Sequence, residues 1–224
     1  MKTPQGRRSA ITAMRRLLST VLLVNAASAY AQNVEVTPLF LGSFSGNMKV
    51  QQAGQPNHLA DLDDSLGFGV SGGYRYGHDD DCEKCSLVGL RWMRQTAHLT
   101  IGNSSPNPAL FHPSVTLNHF LFDMAKEFPV AETHDVVKPF IVVSAGAAIM
   151  STPVENAARF VFGIGGGVNV FPKPRWGIRF QAEYLPMVMS SGEQKVVCAG
   201  GCIVALGGGI MNQLNLSVGP IFRL

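Results

Sequence analysis

The chain has 224 residues, of which 46% are hydrophobic and only 15% charged. Water-soluble domains usually carry about a quarter charged residues. The formal charge of +3 comes from 18 Lys and Arg against 15 Asp and Glu, but five of those cations (Lys2, Arg7, Arg8, Arg15 and Arg16) fall in the first 31 residues. Without them the balance is 13 to 15, so the basic character does not mark a nucleic-acid partner.

Those five cations open a segment with no acidic residue. An apolar run follows from Leu17 to Val24, and then small residues at Ala29 and Ala31. This order predicts a signal peptide over residues 1–31 with cleavage before Gln32. The apolar run is far short of the ~20 residues that a membrane helix needs. Residues 32–224 are then one domain, and no stretch in it is apolar for the length of a spanning helix.

Within that domain apolar residues recur with a period of two, the signature of strands. A first strand is predicted from about Val34 to Gly42, with Val34, Val36 and Phe40 on one face and Glu35 and Thr37 on the other. In a second, Leu66, Phe68, Val70, Tyr74 and Tyr76 alternate with Gly67, Gly69, Ser71, Gly73 and Arg75. The third, about Ser86 to Leu99, sets Val88, Leu90 and Trp92 opposite Arg91 and Gln95. The fourth, about Ser114 to Glu127, places His119 on the face of Val115, Leu117 and Leu121, which predicts a bulge.

The fifth, about Val137 to Met150, opposes Ile141, Val143, Ala145 and Ala147 to Phe140, Val142, Ser144, Gly146 and Ala148. The sixth opposes Phe160, Phe162, Ile164, Val168 and Val170 to Gly163, Gly165, Gly167 and Asn169. In the seventh, Trp176, Ile178, Phe180, Ala182 and Tyr184 face away from Arg179, Gln181 and Glu183. The eighth, Gln213 to Leu224, sets Leu214, Leu216, Val218, Pro220, Phe222 and Leu224 against Gln213, Asn215, Ser217, Gly219 and Arg223, with Ile221 as an apolar intruder.

An even number of strands, each with one apolar face, is what a bilayer demands of a β protein, because closure leaves no backbone group unpaired in lipid. The fold class is therefore all-β: an eight-stranded antiparallel up-and-down transmembrane β-barrel with N- and C-termini periplasmic. The tight connection Phe171 to Trp176 belongs at the periplasmic end, and the long connections 43–65 and 190–212 at the outer end, with 102–113 and 151–158. Trp176, Phe171 and Tyr76 are expected in a periplasmic aromatic girdle. Glu35, Arg75, Arg91, Arg179, Glu183 and Arg223 point into a narrow lumen, where burial requires them to pair as an ionic plug.

Four cysteines form two close pairs, Cys82 with Cys85 and Cys198 with Cys202. Two such pairs could make a zinc ribbon, but this topology sets them a membrane thickness apart. Two local disulfides suit an oxidising compartment better, and no metal or other cofactor is expected. His112-Pro113-Ser114 could be a hydrolytic pair with Glu155 as its orienting carboxylate, yet His-Pro-Ser is also ordinary loop chemistry. Asp79-Asp80-Asp81 could hold Ca²⁺, although a solvated acidic turn is the simpler reading. The Gly-x-Gly runs lack the strand-to-helix context of a nucleotide loop.

Several segments together resemble the outer-membrane β-barrel domain family of small eight-strand OmpA/OmpX-like barrels. They are Val34-Glu-Val-Thr-Pro38, Asp64-Ser-Leu-Gly-Phe-Gly-Val70, Gly163-Ile-Gly-Gly-Gly-Val168, Arg179-Phe-Gln-Ala-Glu-Tyr-Leu-Pro186 and Leu216-Ser-Val-Gly-Pro-Ile-Phe-Arg223. The resemblance covers residues 32–224, and one departure is the final Leu224 in place of an aromatic residue. It implies the cell outer membrane as location. As partners it implies outer-membrane lipid, lipopolysaccharide and the barrel-insertion machinery acting on the C-terminal strand. The function expected is non-enzymatic, structural or surface-interacting through loops 43–65 and 190–212. Lipid A deacylation and a narrow pore are the alternatives.

Overall fold

Strict alternation of side chains is satisfied when one face meets a filled interior and the other an apolar solvent, and the backbone takes that form along eight long strands. The computed structural model describes residues 33–52, 58–76, 86–101, 114–128, 130, 136–152, 155–189, 195–197, 203–206 and 209–224. The strands are β1 (Val34–Ser45), β2 (Asn47–Gln52), β3 (His58–Leu62), β4 (Ser65–Tyr76), β5 (Ser86–Ile101) and β6 (Ser114–Glu127). They continue with β7 (Val137–Ser151), β8 (Asn156–Lys173), β9 (Trp176–Met189), β10 (Lys195–Val197), β11 (Ile203–Leu206) and β12 (Gly209–Arg223).

Eight of these form a closed antiparallel ring in the order β5-β4-β1-β12-β9-β8-β7-β6, sealed by pairing of β5 with β6. The rungs climb as they go round. From Ile149 on β7 they pass through Asn118, Arg94, Phe68, Phe40, Val218, Phe180 and Val168 and return to β7 at Pro139, ten residues from the start. Such a stagger requires strands tilted by roughly 40° to the barrel axis.

The first and last strands of the ring are neighbours. Their ladder runs Glu35↔Arg223 and Val36↔Phe222, is interrupted, and resumes at Phe40↔Val218. Pro38 and Pro220, which have no N–H to donate, lie in the interrupted stretch.

The segments 43–65 and 190–212, expected as open connections, carry four short strands. β2 pairs with β3, β3 extends the end of β5, β11 pairs with β2, and β10 pairs with β11. These hairpins prolong the wall beyond one rim, here called the hairpin end. The opposite rim, the turn end, carries the two-residue turn Pro174-Arg175 between β8 and β9.

Two further expectations are corrected. β6 has no bulge: its register with β5 is unbroken from His98↔Ser114 to Ser86↔Lys126. His119 shares the inner face with Leu117 and Leu121 because that face is apolar near the hairpin end. Phe171 is not in an outer girdle. It is buried in the lumen beneath the guanidinium of Arg223, whose Cζ lies 3.4 Å from the ring centroid. Trp176 and Tyr76 do face outward.

The outer wall is apolar at nearly every exposed position of the middle rows, among them Phe40, Phe68, Val70, Leu90, Phe122, Ile141, Phe162, Ile164, Phe180 and Leu216. Monomers in water rarely expose contiguous apolar patches beyond a few hundred Å². A band that encircles the molecule is the surface of a membrane barrel.

Candidate functional site: the lumen

Inward residues are those of one parity on each strand, so the backbone alone decides which polar groups meet. Near the turn end, Glu35 on β1 receives three guanidinium groups. Arg223 Nε donates to its Oε1 at 2.8 Å, Arg75 Nη1 lies 3.3 Å from the same oxygen, and Arg179 Nη2 lies 3.4 Å from Oε2. Arg75 also pairs with Glu127 of β6. The Asn169 amide bridges the group, donating to Glu127 Oε1 at 2.7 Å and accepting from Arg179 Nε at 2.9 Å. Phe140 stacks against Arg179 at 5.2 Å and Phe171 against Arg223, so two aromatic rings help close this end.

Midway along, Arg91 on β5 reaches two carboxylates. Its Nη1 lies 2.6 Å from Glu183 Oε2 and its Nη2 3.0 Å from Asp123 Oδ1. Gln181 Nε2 donates to Glu183 Oε2 at 3.0 Å, and the Ser144 hydroxyl donates to Glu183 Oε1. The guanidinium groups of Arg75, Arg91, Arg179 and Arg223 are thus set against the carboxylates of Glu35, Asp123, Glu127 and Glu183. Taking a charge out of water costs several kcal/mol unless it is paired and hydrogen-bonded, and here each is both.

Toward the hairpin end an apolar cluster appears among buried polar side chains that include Ser43, Arg159, Gln213 and Asn215. Leu41, Met93, Leu117, Leu121, Met150, Leu185, Met187 and Met211 form one buried cluster. Gln95 and His119 are buried on the strands beside Leu117 and Met93. Inward glycines make room for the longer side chains. A Cβ on Gly163 would stand 2.6 Å from Glu183 Oε1, and one on Gly167 would stand 2.9 Å from the Phe140 ring.

All six residues expected in the lumen (Glu35, Arg75, Arg91, Arg179, Glu183 and Arg223) are inward, but in two groups. Glu35, Arg75, Arg179 and Arg223 share one, and Arg91 and Glu183 lie in the other. Asp123, Glu127, Ser144, Asn169 and Gln181 were not named as members. Asp123 and Glu127 are of the same parity as His119 on β6, and that parity without a bulge would have found them.

Cys82, Cys85, Cys198, Cys202, His112, Pro113 and Asp79 to Asp81 lie outside the described residues, as does the predicted signal segment 1–31. Ser114 opens β6, exposed. Glu155 is held in the β7–β8 connection, where its N–H donates to Thr152 Oγ1 at 3.2 Å. Among the described residues no cluster of three His, Cys, Asp or Glu is arranged to hold a metal. Two concavities of about 900 and 730 Å³ lie around Gly72 and around Gly42 and Gly166. Both are bordered by outward side chains, among them Phe40, Leu66 and Phe180 at one and Val70, Leu90 and Phe122 at the other, so they are furrows of the outer wall.

No family model matches the sequence, and no curated protein matches it. Solved structures do share the fold. The outer membrane protein OprG from Pseudomonas aeruginosa matches with a TM-score of 0.51 at 10% identity, over 87% of this chain and 97% of that one. Neisserial surface protein A (NspA) matches at 0.41 and 13%, over 85% and 97%. The attachment invasion locus protein Ail of Yersinia pestis, solved with the heparin analogue sucrose octasulfate, matches at 0.40 and 15%, over 85% and 99%. The fold is that of the small eight-strand outer-membrane β-barrels, and the encircling apolar band is the surface of a wall that spans a membrane.

Proposed function

We propose that the protein is an integral outer-membrane barrel of structural or surface-interacting type, non-enzymatic and closed to ions. The observation that carries this reading is the filled lumen: an ionic network at the turn end and an apolar cluster of Leu and Met at the hairpin end. A pore needs a continuous wet path, and neither layer offers one. The termini and the short turn are periplasmic, and the β2–β3 and β10–β11 hairpins project outside, where long connections belong. Residues 1–31 act as the export signal, and β12 is the strand offered to the insertion machinery.

Reconstitution in a planar bilayer tests the central point. The expected result is a baseline current with rare openings. Steady open-channel conductance would overturn the closed lumen. Recovery of the protein in a soluble periplasmic fraction would overturn the membrane assignment.

A further inference from the structure

The apolar band is uneven around the barrel. On β8 the outward side chains run from Ala158 through Phe160, Phe162, Ile164 and Val168 to Val170. On β6 only Phe120, Phe122 and Met124 separate outward Asn118 from outward Lys126. Eight residues of strand tilted by about 40° rise roughly 20 Å along the barrel axis, less than the ~25 Å band of outer-membrane barrels. The shortfall lies at the hairpin end, because Lys126 is close to the turn end, where β6 finishes at Glu127.

The residues that shorten the band are all hydrogen-bonding groups. On β5 the outward positions after Trp92 are Arg94, Thr96 and His98, and on β6 those before Phe120 are Asn118, Thr116 and Ser114. The strands pair Arg94 with Asn118, Thr96 with Thr116 and His98 with Ser114, so the six form one patch. The Thr96 and Thr116 hydroxyls lie 3.2 Å apart, within hydrogen-bond distance. Above them, Asp63 of the β3–β4 connection donates its N–H to the His98 carbonyl at 2.9 Å. Arg94 is exposed on the lipid side between Phe68 and Asn118 and has no carboxylate partner among the described residues. Arg at the bilayer midplane of a barrel costs about 2–4 kcal/mol and close to nothing at the headgroups, which draws the guanidinium from beside Phe68 toward the headgroup layer of the hairpin end.

We propose that this notch on β5–β6 seats a phosphorylated lipid headgroup. Arg94 would pair with the phosphate, and Asn118, Thr96 and Thr116 would bond the sugar or phosphate oxygens. A guanidinium offers a fork of N–H donors matched to phosphate, and the notch lets the headgroup descend below the level it keeps around β8. With the hairpin end outside, a placement that rests on the proposed orientation, the occupant is the phosphorylated glucosamine headgroup of lipopolysaccharide.

The test uses the full-length mature protein in phosphatidylcholine nanodiscs doped with lipid A carrying both phosphates or none. Retained lipid is counted by native mass spectrometry, and the heat-dependent gel shift certifies the fold of each variant. Wild type is expected to retain the phosphorylated form about tenfold over the dephosphorylated one. Arg94→Gln should abolish that preference, Asn118→Leu should reduce it, and Lys126→Gln at the other boundary should leave it intact. Arg94→Lys, which keeps the charge but loses the fork, should retain part and serves if Arg94→Gln does not fold. Equal retention of both lipids by wild type, or undiminished preference in Arg94→Gln, would overturn the proposal. Lipid is present in both leaflets, so this outcome does not depend on orientation. Orientation is read separately, by labelling Glu155→Cys on intact cells in a background with the four native cysteines replaced by serine.

Discussion

Arg91 and Glu183 meet at 2.6 Å from strands that are diametrically opposed in the ring, β5 and β9, four places apart. Backbone hydrogen bonds join each strand only to its neighbours. This ion pair instead ties two walls directly across the lumen, and through Asp123 it takes in β6 as well. Removing one member leaves a buried charge uncompensated, which costs about 3–5 kcal/mol. Arg91→Leu and Glu183→Leu should each lower the unfolding free energy by that much, read from urea titrations of the fast-migrating folded gel band. The double variant should lose clearly less than the sum. Additive losses would show that the two side chains do not act as a pair.

Glycines at two places should respond oppositely. A Cβ on Gly163 would lie 2.5 Å from Leu185 Cδ2 and 2.6 Å from Glu183 Oε1, whereas one on Gly72, which faces outward, meets nothing within 4 Å. Gly163→Val should therefore destabilise by about 1–3 kcal/mol. Gly72→Ala should be neutral or stabilise by about 0.5 kcal/mol, by restricting the unfolded chain. Refolding titrations into detergent micelles or lipid vesicles would measure both.

Charge on the outer wall should cost according to depth. Ile164, 63% exposed in the middle of β8, faces acyl chains, and Ile164→Arg should destabilise by about 2–4 kcal/mol in vesicles. The same change at Ile210, close to the hairpin rim on β12, should cost about 1 kcal/mol or less. Equal penalties at the two positions would contradict a bilayer centred on the middle rows.

The cysteine pairs provide a chemical test of orientation. β4 ends at Tyr76 and β5 begins at Ser86, both at the turn end, whereas β10 and β11 belong to the hairpin end. Cys82 and Cys85 fall in the first connection and Cys198 and Cys202 in the second. Non-reducing peptide mapping should recover each pair closed on itself. After reduction, an impermeant thiol reagent on intact cells should label Cys198 and Cys202 and spare the other two. A bridge between the pairs would overturn the assignment of their two connections to opposite ends of the barrel, because disulfides need Cα atoms within about 7 Å.

The ring was readable in the sequence because alternation is a local property, and one tilted strand needs only about ten residues to show it. It failed wherever both faces carry the same kind of side chain. Leu117, Leu121, Met187 and Met211 point inward as Leu216 and Ile164 point outward, and no polarity contrast distinguishes the two sets. His119 therefore looked misplaced when it was in register. Phe171 was misread for the same reason, since an aromatic residue near a turn suits a girdle and a lumenal lid equally well. The hairpins β2–β3 and β10–β11 are only three to six residues per strand, too short for alternation to show, and their joining through β11 and β2 spans some 150 residues of sequence, over which no local pattern reports. Pairing partners within the lumen, such as Glu35 with three arginines, required the stagger of the ring and not only the parity of each strand.

The seam between β1 and β12 carries opposed prolines and an interrupted ladder, and it joins the first and last strands of the ring. The wall is edgeless in space but not in time. Until β12 docks, β1 and β9 each present a bare rim of N–H and C=O groups that any other unfolded chain could extend. What the interrupted ladder lacks, side chains supply: Ser43 with Asn215, Ser45 with Gln213 and Glu35 with Arg223 are hydrogen-bonded across the same seam. Closing the ring means guarding two open edges until β12 is in place, and the set of arginines on Glu35 is complete only when Arg223 arrives with it.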